Sequence, residues 1–211
     1  MKISASFLAC KNIFNTVKKI SLTDVDYIHV DVVDNNFVKG RKIPLHKLTK
    51  IYKYTSKRLD VHLMVKNPKK YIKKFALLNT ERIIIHVELT KNVEKYLDYI
   101  RSFGIKNGLA INPETDISAL KPFLDKIDTI LIMSVEPGLG GQGFITTSVD
   151  KLNKIKKMVN DSKNNIEVSI DGGINDTNIK ELKNADIVVS GSFITSSNNY
   201  QEQIDKLRKM K

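Results

Sequence analysis

The sequence predicts a (β/α)8 TIM barrel, and three observations carry that prediction. Short β-branched runs alternate with longer, lysine-rich segments of helical period from end to end; the alternation counts eight of each; and most of the glycines gather behind the last three strands. Alternating βα units call for a parallel sheet covered by helices, and a count of eight favours closure into a barrel over an open doubly wound sheet. A Rossmann-type sheet would carry Gly-x-Gly-x-x-Gly behind its first strand, and no such motif follows residues 2–8.

In chain order the strands are expected at 2–8, 25–31, 59–64, 82–87, 106–111, 128–134, 166–171 and 186–190. Each is a short β-branched run of the kind that fits a buried parallel strand. The helices between and after them are expected at 11–20, 44–56, 68–78, 91–103, 116–123, 147–160, 175–184 and 199–210. No Ser/Pro-rich linker interrupts the alternation, and 211 residues suit one core, so a single domain over 1–211 is expected.

Composition narrows the function classes. With 41% hydrophobic and 27% charged residues the chain reads as soluble and globular. The longest apolar runs, 83–85 and 129–133, are too short to span a bilayer, so no membrane partner is expected. The first ten residues lack a secretory pattern, and Cys10 is the only cysteine, which excludes an intrachain disulfide and points to the cytoplasm. The net charge of +12 suits an anionic small molecule. Its lysines are spread over every expected helix without interleaved aromatics, so nucleic acid is not expected as a partner.

In a barrel of this kind the active site lies at the C-terminal ends of the strands. Gly138, Gly140, Gly141 and Gly143 follow the sixth strand, Gly172 and Gly173 the seventh, and Gly191 the eighth. A turn preference for glycine explains one per turn but not four in six residues; glycine lets a backbone approach a ligand closely. The turns after strands seven and eight often bind phosphate through backbone N–H groups, which makes Gly172, Gly173, Gly191 and Ser192 the candidate phosphate cradle.

His29 and Asp31 share parity on the second strand and point to one face, His62 ends the third strand, and Asp171 ends the seventh. Singly, each histidine reads as a hydrogen-bonded core residue and each aspartate as a cap or loop brace. Two imidazoles and two carboxylates converging at one barrel mouth suit a divalent transition metal. His86 and Glu88 close the fourth strand and read as support for that site, not ligands. His46 reads as solvated, Asp34 as a loop brace or surface acid, and Met64 and Met133 as inward-facing packing.

These residues lie in a run of motifs: Ile-Ser-Ala-Ser-Phe-Leu at 3–8, His-Val-Asp-Val-Val-Asp at 29–34, Val-His-Leu-Met-Val at 61–65, Met-Ser-Val-Glu-Pro-Gly-Leu-Gly-Gly-Gln at 133–142, Ile-Asp-Gly-Gly-Ile at 170–174 and Val-Ser-Gly-Ser at 189–192. In this order and spacing the whole chain resembles the ribulose-phosphate 3-epimerases, whose fold is a barrel of the ribulose-phosphate-binding type. The resemblance implies interconversion of D-ribulose 5-phosphate and D-xylulose 5-phosphate, a step of the pentose phosphate pathway, by two-base proton transfer at carbon 3 through an enediolate. It implies one divalent metal (zinc, iron, manganese or cobalt) on His29, Asp31, His62 and Asp171, with Asp31 and Asp171 also the catalytic acid–base pair. Substrate contacts are implied at Ser6, His62, Gly138, Leu139, Gly140, Gly141, Asp171, Gly172, Gly173, Gly191 and Ser192. Relatives form homo-oligomers, dimers or hexamers.

The chain departs from the family pattern at Val33 (usually methionine), Asn35 (glycine), Lys39-Gly40 (Pro-Asn), Cys10-Lys11 (Ala-Asp) and Leu139 (phenylalanine). The changes at 33–40 bear on the shape of the pocket wall. A ketohexose-6-phosphate 3-epimerase, of the allulose-phosphate type, is the nearest alternative, and a non-catalytic barrel binding phosphate or nucleic acid is a third. Related decarboxylases place Asp-x-Lys at a strand end, where Val33 stands here.

Overall fold

The strands are short and buried on both sides because one face of each meets helices and the other meets the barrel interior. In the computed structural model, which describes residues 1–89 and 91–209, eight parallel strands close in sequence order: β1 (Lys2–Ser6), β2 (Tyr27–Val33), β3 (Arg58–Met64), β4 (Thr80–His86), β5 (Lys106–Ile111), β6 (Thr129–Met133), β7 (Glu167–Asp171) and β8 (Ile187–Ser190). Closure is the β1–β8 pairing, with Lys2 opposite Ile187 and Ala5 opposite Ser190.

Strand alternation divides the core in two. On β2 the odd positions Tyr27, His29 and Asp31 face inward, while Ile28, Val30 and Val32 join the large apolar layer under the helices. Inside the barrel a small apolar plug of Ile84, Ala110, Leu131, Met133, Val135 and Val189 fills the side formed mainly by β4, β5 and β6. The wall formed by β1, β2, β3 and β7 is lined instead by Ser4, Ser6, His29, Asp31, Asp60, His62, Ser169 and Asp171, and these polar groups hold the site.

Helix α1 (Ile13–Ser21) starts where the Asn12 side chain accepts the Asn15 N–H at 3.2 Å, and it buries Ile13, Thr16, Val17 and Ile20, one stripe at helical spacing. Helix α2 (Leu45–Leu48) is one turn; α3 (Lys69–Ala76), α4 (Val93–Arg101) and α5 (Thr147–Ser162) are regular, and α6 (Ser192–Thr195) and α7 (Tyr200–Lys209) follow β8. The expected end of the last helix, residue 210, lies outside the described residues.

Three expected helices differ. Residues 44–56 break into α2 and a 3-10 turn, Ile51–Tyr54, and residues 116–123 form only a 3-10 helix, Ile117–Phe123. Pro122 lies inside the latter, and its missing N–H denies the α ladder a donor. Residues 175–184 keep only the 3-10 turn Ile179–Leu182. There Asn175 Oδ1 takes the Thr177 N–H at 2.8 Å, Asn178 Oδ1 takes the Asn175 N–H at 3.0 Å, and the Asn178 amide donates to Gly173 O at 2.9 Å. Asparagine side chains here outcompete the helical bonds. The short α6 behind β8 was not expected. Among the described residues no helix is long and apolar enough to cross a membrane.

Candidate active site

His29, Asp31, His62 and Asp171 meet at the C-terminal mouth, each offering one ligand atom, with all four atoms within 4.8 Å of one another. His29 Nε2 lies 3.4 Å from Asp31 Oδ1 and 3.6 Å from Asp171 Oδ2; His62 Nδ1 lies 3.2 Å and 3.9 Å from the same two oxygens. Ligands about 2.1 Å from a common centre would stand roughly 3–4 Å apart, so the donor set fits a divalent ion.

Neighbouring carboxylates dictate which nitrogens the two imidazoles present. His29 Nδ1 lies 3.1 Å from Asp60 Oδ2 and donates to it, which turns Nε2 toward the cluster; that atom is buried, has no hydrogen-bond partner and is the one a metal would take. Asp60 is itself held by the Ser4 hydroxyl at 2.8 Å. For His62 the control is longer. Burial pushes Glu88 upward, but bonds from His86, the Asn112 N–H and Thr115 bring it down to about 2, so it is ionised and only accepts. His86 Nδ1 therefore donates to Glu88 Oε2 at 3.0 Å, its Nε2 shares a hydrogen bond with His62 Nε2 at 2.8 Å, and His62 Nδ1 is turned toward the aspartates, 3.2 Å from Asp31 Oδ1. Two independent chains of bonds thus turn two imidazole nitrogens toward one point.

The carboxylates are unequal. Burial raises Asp31, but His29 and His62 overcome it and hold the group below the ordinary aspartate range; the Ser6 hydroxyl donates to Asp31 Oδ2 at 2.8 Å. Burial also raises Asp171, His29 opposes, and the charges of Asp31 and Asp60 add to the rise, to about 7. Burial lowers His29, yet Asp31 and Asp60 lift it well above the usual histidine value, while burial brings His62 down to about 4. Three buried carboxylates, Asp31, Asp60 and Asp171, crowd the His29 imidazole, an electrostatic setting that a cation relieves.

Above the cluster opens a cleft. Ser6, Asp31, Gly138, Leu139, Gly140, Gly141, Asp171, Gly172, Gly173, Gly191 and Ser192 line it. His62 is fully buried beneath and outside that lining. Gly143 also lies outside the lining. Gly172 and Gly173 are required by more than ligand access: both have positive φ (123° and 64°), and added Cβ atoms would come within 2.4 Å of Val135 and 2.5 Å of the Phe144 nitrogen. Met64 and Met133 line the cleft, His46 is exposed, and Asp34 braces its loop by accepting the Asn36, Phe37 and Lys66 N–H groups at 2.7–2.9 Å.

Sequence reading missed Asp60, which shares parity with His62 on β3 and was open to the same argument as His29 and Asp31. It also missed Ser4 and the direct His62–His86 contact. No sequence signal marks that contact, since it depends on the spacing of β3 and β4 at the mouth.

A model of the ribulose-phosphate 3 epimerase family matches residues 2–195. The chain is 42% identical over 212 residues to a ribulose-phosphate 3-epimerase of Buchnera aphidicola, covering 98% of this chain and 91% of that protein. It is 36% identical to one of Helicobacter pylori, covering 100% and 98%. Among solved structures, 3-hexulose-6-phosphate synthase from Salmonella typhimurium superposes with a TM-score of 0.73 at 14% identity, covering 100% of this chain and 98% of that one, a likeness of fold.

Proposed function

The chain belongs to the ribulose-phosphate 3-epimerase family, and from that membership we propose how its residues perform the reaction and on which sugar. Its activity is that of a ribulose-phosphate 3-epimerase, an isomerase. The substrate we assign is D-ribulose 5-phosphate, interconverted with D-xylulose 5-phosphate. The observation that carries the mechanism is the pair Asp31 and Asp171, brought from β2 and β7 to one four-ligand cluster under the cleft.

Inverting the carbon beside a ketone requires a proton to leave one face and another to arrive on the opposite face. Strands β2 and β7 stand three steps apart around the ring, so their aspartates flank a sugar lying between them. Before a metal binds the two carboxylates are unequal, Asp31 held below the ordinary aspartate range and Asp171 raised above it; in the reaction one takes the proton and the other, protonated, delivers from the far side. The Ser6 hydroxyl restrains the Asp31 carboxylate. His29, Asp31, His62 and Asp171 would hold a divalent ion, which would supply Lewis-acid chemistry there, and zinc, iron, manganese and cobalt all suit that donor set.

Backbone N–H groups of Gly172, Gly173, Gly191 and Ser192 hold the phosphate, whose remote binding energy positions carbon 3. Residues 136–144 close over the sugar and exclude water. We assign the work to a single domain over 1–211, acting in the cytoplasm as a homo-oligomer, dimer or hexamer, without nucleic acid.

The purified protein should turn over ribulose 5-phosphate faster than allulose 6-phosphate, and a chelator should abolish both reactions until metal is restored. Faster turnover of allulose 6-phosphate would move the assignment to the hexulose, and full turnover by metal-free protein would remove the metal role. In heavy water, early product should carry solvent deuterium at carbon 3. Retention of the substrate's own hydrogen, with both carboxylates exchanging freely, would exclude two bases.

A further inference from the structure

Arg41, in the loop after β2, does not line the cleft, yet it touches the loops after two other strands at its mouth. Its backbone N–H donates to Gly138 O at 2.8 Å, in the loop after β6. Its guanidinium donates through Nη1 to Leu8 O and through Nη2 to Cys10 O, in the turn after β1. The two loops it joins supply much of the cleft wall, including Leu8, Ala9, Gly138 and Gly140.

The loop that carries Arg41 is itself fixed. Asp34 receives three backbone N–H groups, one of them from Lys66 beyond β3, and Asn35, in the left-handed region at φ 64°, accepts the Gly40 N–H at 2.8 Å. Next to Arg41 the two backbones meet without side chains. A Cβ on Gly40 would stand 2.1 Å from Gly138 O, and one on Gly138 would stand 2.6 Å from Lys39 O. A Cβ on Gly140 would reach Ala9 Cβ at 3.0 Å, so the β6 loop also lies directly on the turn that Arg41 holds.

We propose that Arg41 is a positioning residue for the reaction: it clasps the 7–12 turn and the 136–144 loop to the braced 34–41 loop, and so sets how tightly the mouth closes on the phosphorylated sugar. The role suits arginine because its planar fork presents parallel donors to two carbonyls at once, which a lysine ammonium on a flexible stem does not reproduce. The inference rests on reading this cleft as the sugar-phosphate site.

Three variants of the metal-loaded protein test it: Arg41→Ala, Arg41→Lys and Gly40→Ala. Gly40 does not have positive φ, so alanine there tests the contact with Gly138 and not the backbone conformation. The readouts are kcat and KM for ribulose 5-phosphate and amide hydrogen exchange in residues 7–12 and 136–144. The Ala variants should raise KM about tenfold with kcat within about threefold, and Arg41→Lys should fall between them and the parent. Exchange should quicken in the two loops and stay unchanged in the strands. An unchanged KM with unchanged loop exchange in Arg41→Ala and Gly40→Ala would overturn the proposal, as would faster exchange throughout the strands. If Arg41→Ala does not fold, Arg41→Lys and Gly40→Ala decide on the same terms. A parent protein that fails to turn over ribulose 5-phosphate would sink the substrate reading instead, and loop exchange would still decide the clasp.

Discussion

The two ends of the barrel interior both bury charge, and they treat it in opposite ways. At the N-terminal end, Glu167 meets Lys2 at 2.6 Å, Arg82 at 3.3 Å and Lys106 at 3.4 Å, while Glu81 meets Lys106 at 3.0 Å and also Arg58. Arg82 is fully buried; its N–H groups find no well-aligned acceptor, but its charge is balanced by Glu167 and Asp60 and its guanidinium lies 4.7 Å over the Tyr27 ring. Charges at this end finish on other protein charges. At the mouth, His29 Nε2 has no hydrogen-bond partner and Asp171 is pressed upward by burial and by two neighbouring carboxylates. The first cluster is neutralised from within, whereas carboxylates crowded against two imidazoles at the second ask for a cation from outside. Asp60 belongs to both ends, 3.1 Å from His29 Nδ1 and 3.7 Å from Arg82 Nε.

The largest effect that would separate the two ends is at the mouth. Asp171→Asn or Asp31→Asn should lower kcat/KM by at least about a thousandfold, since each removes a proton-transfer group and a metal ligand together. Steady-state assays with metal analysis of the same samples check this. A variant that keeps its metal and more than a tenth of the activity would break the contrast.

Next is a proton linkage. Asp171, raised to about 7, and His29, raised well above its usual value, both hold protons in the metal-free protein below neutrality, and a cation must displace them. Metal affinity should therefore fall as pH drops below about 7, roughly tenfold per unit for each proton displaced. Competition against a chelator of known pH dependence measures the slope, and a flat profile contradicts it.

At the opposite end, Arg82→Met strips the counter-charge from buried Asp60 and partly buried Glu167. It should cost about 3 kcal/mol of stability, or roughly 6–12 °C in Tm for a chain of this size. Activity of the folded variant should stay within about threefold. A large loss of metal with intact stability would instead show that Asp60 carries influence from Arg82 to His29. The smallest effect is expected at Lys106, whose side chain is nearly half exposed. Lys106→Ala should cost under about 1 kcal/mol and leave KM untouched, as thermal melts and kinetics can verify.

Much of the mouth was legible because strand parity is local. Residues 29 and 31 share a face on any strand, and the glycines at 172, 173 and 191 sit behind strands that periodicity alone locates. The same parity would have reached Asp60 through His62, but an aspartate early in a strand reads as an edge residue until its partner is known. Helix content was less legible. Pro122 and the paired asparagines 175 and 178 act through single missing or competing bonds, which a hydrophobic pattern does not register.

From sequence alone came the eight βα units, the inward faces of the strands, the one end where unusual residues gather, and the motif order that resembles the epimerases. Only the tertiary structure decided how the atoms of the site meet: His29 Nε2 and His62 Nδ1 turned inward by Asp60 and by the Glu88–His86 chain, the unequal carboxylates, and the Arg41 clasp across loops from β1, β2 and β6. Apart from the local Glu88–His86 bond, these depend on contacts between residues tens of positions apart that meet once the sheet closes on itself. Local periodicity encodes the direction of each side chain but not the partner it will meet.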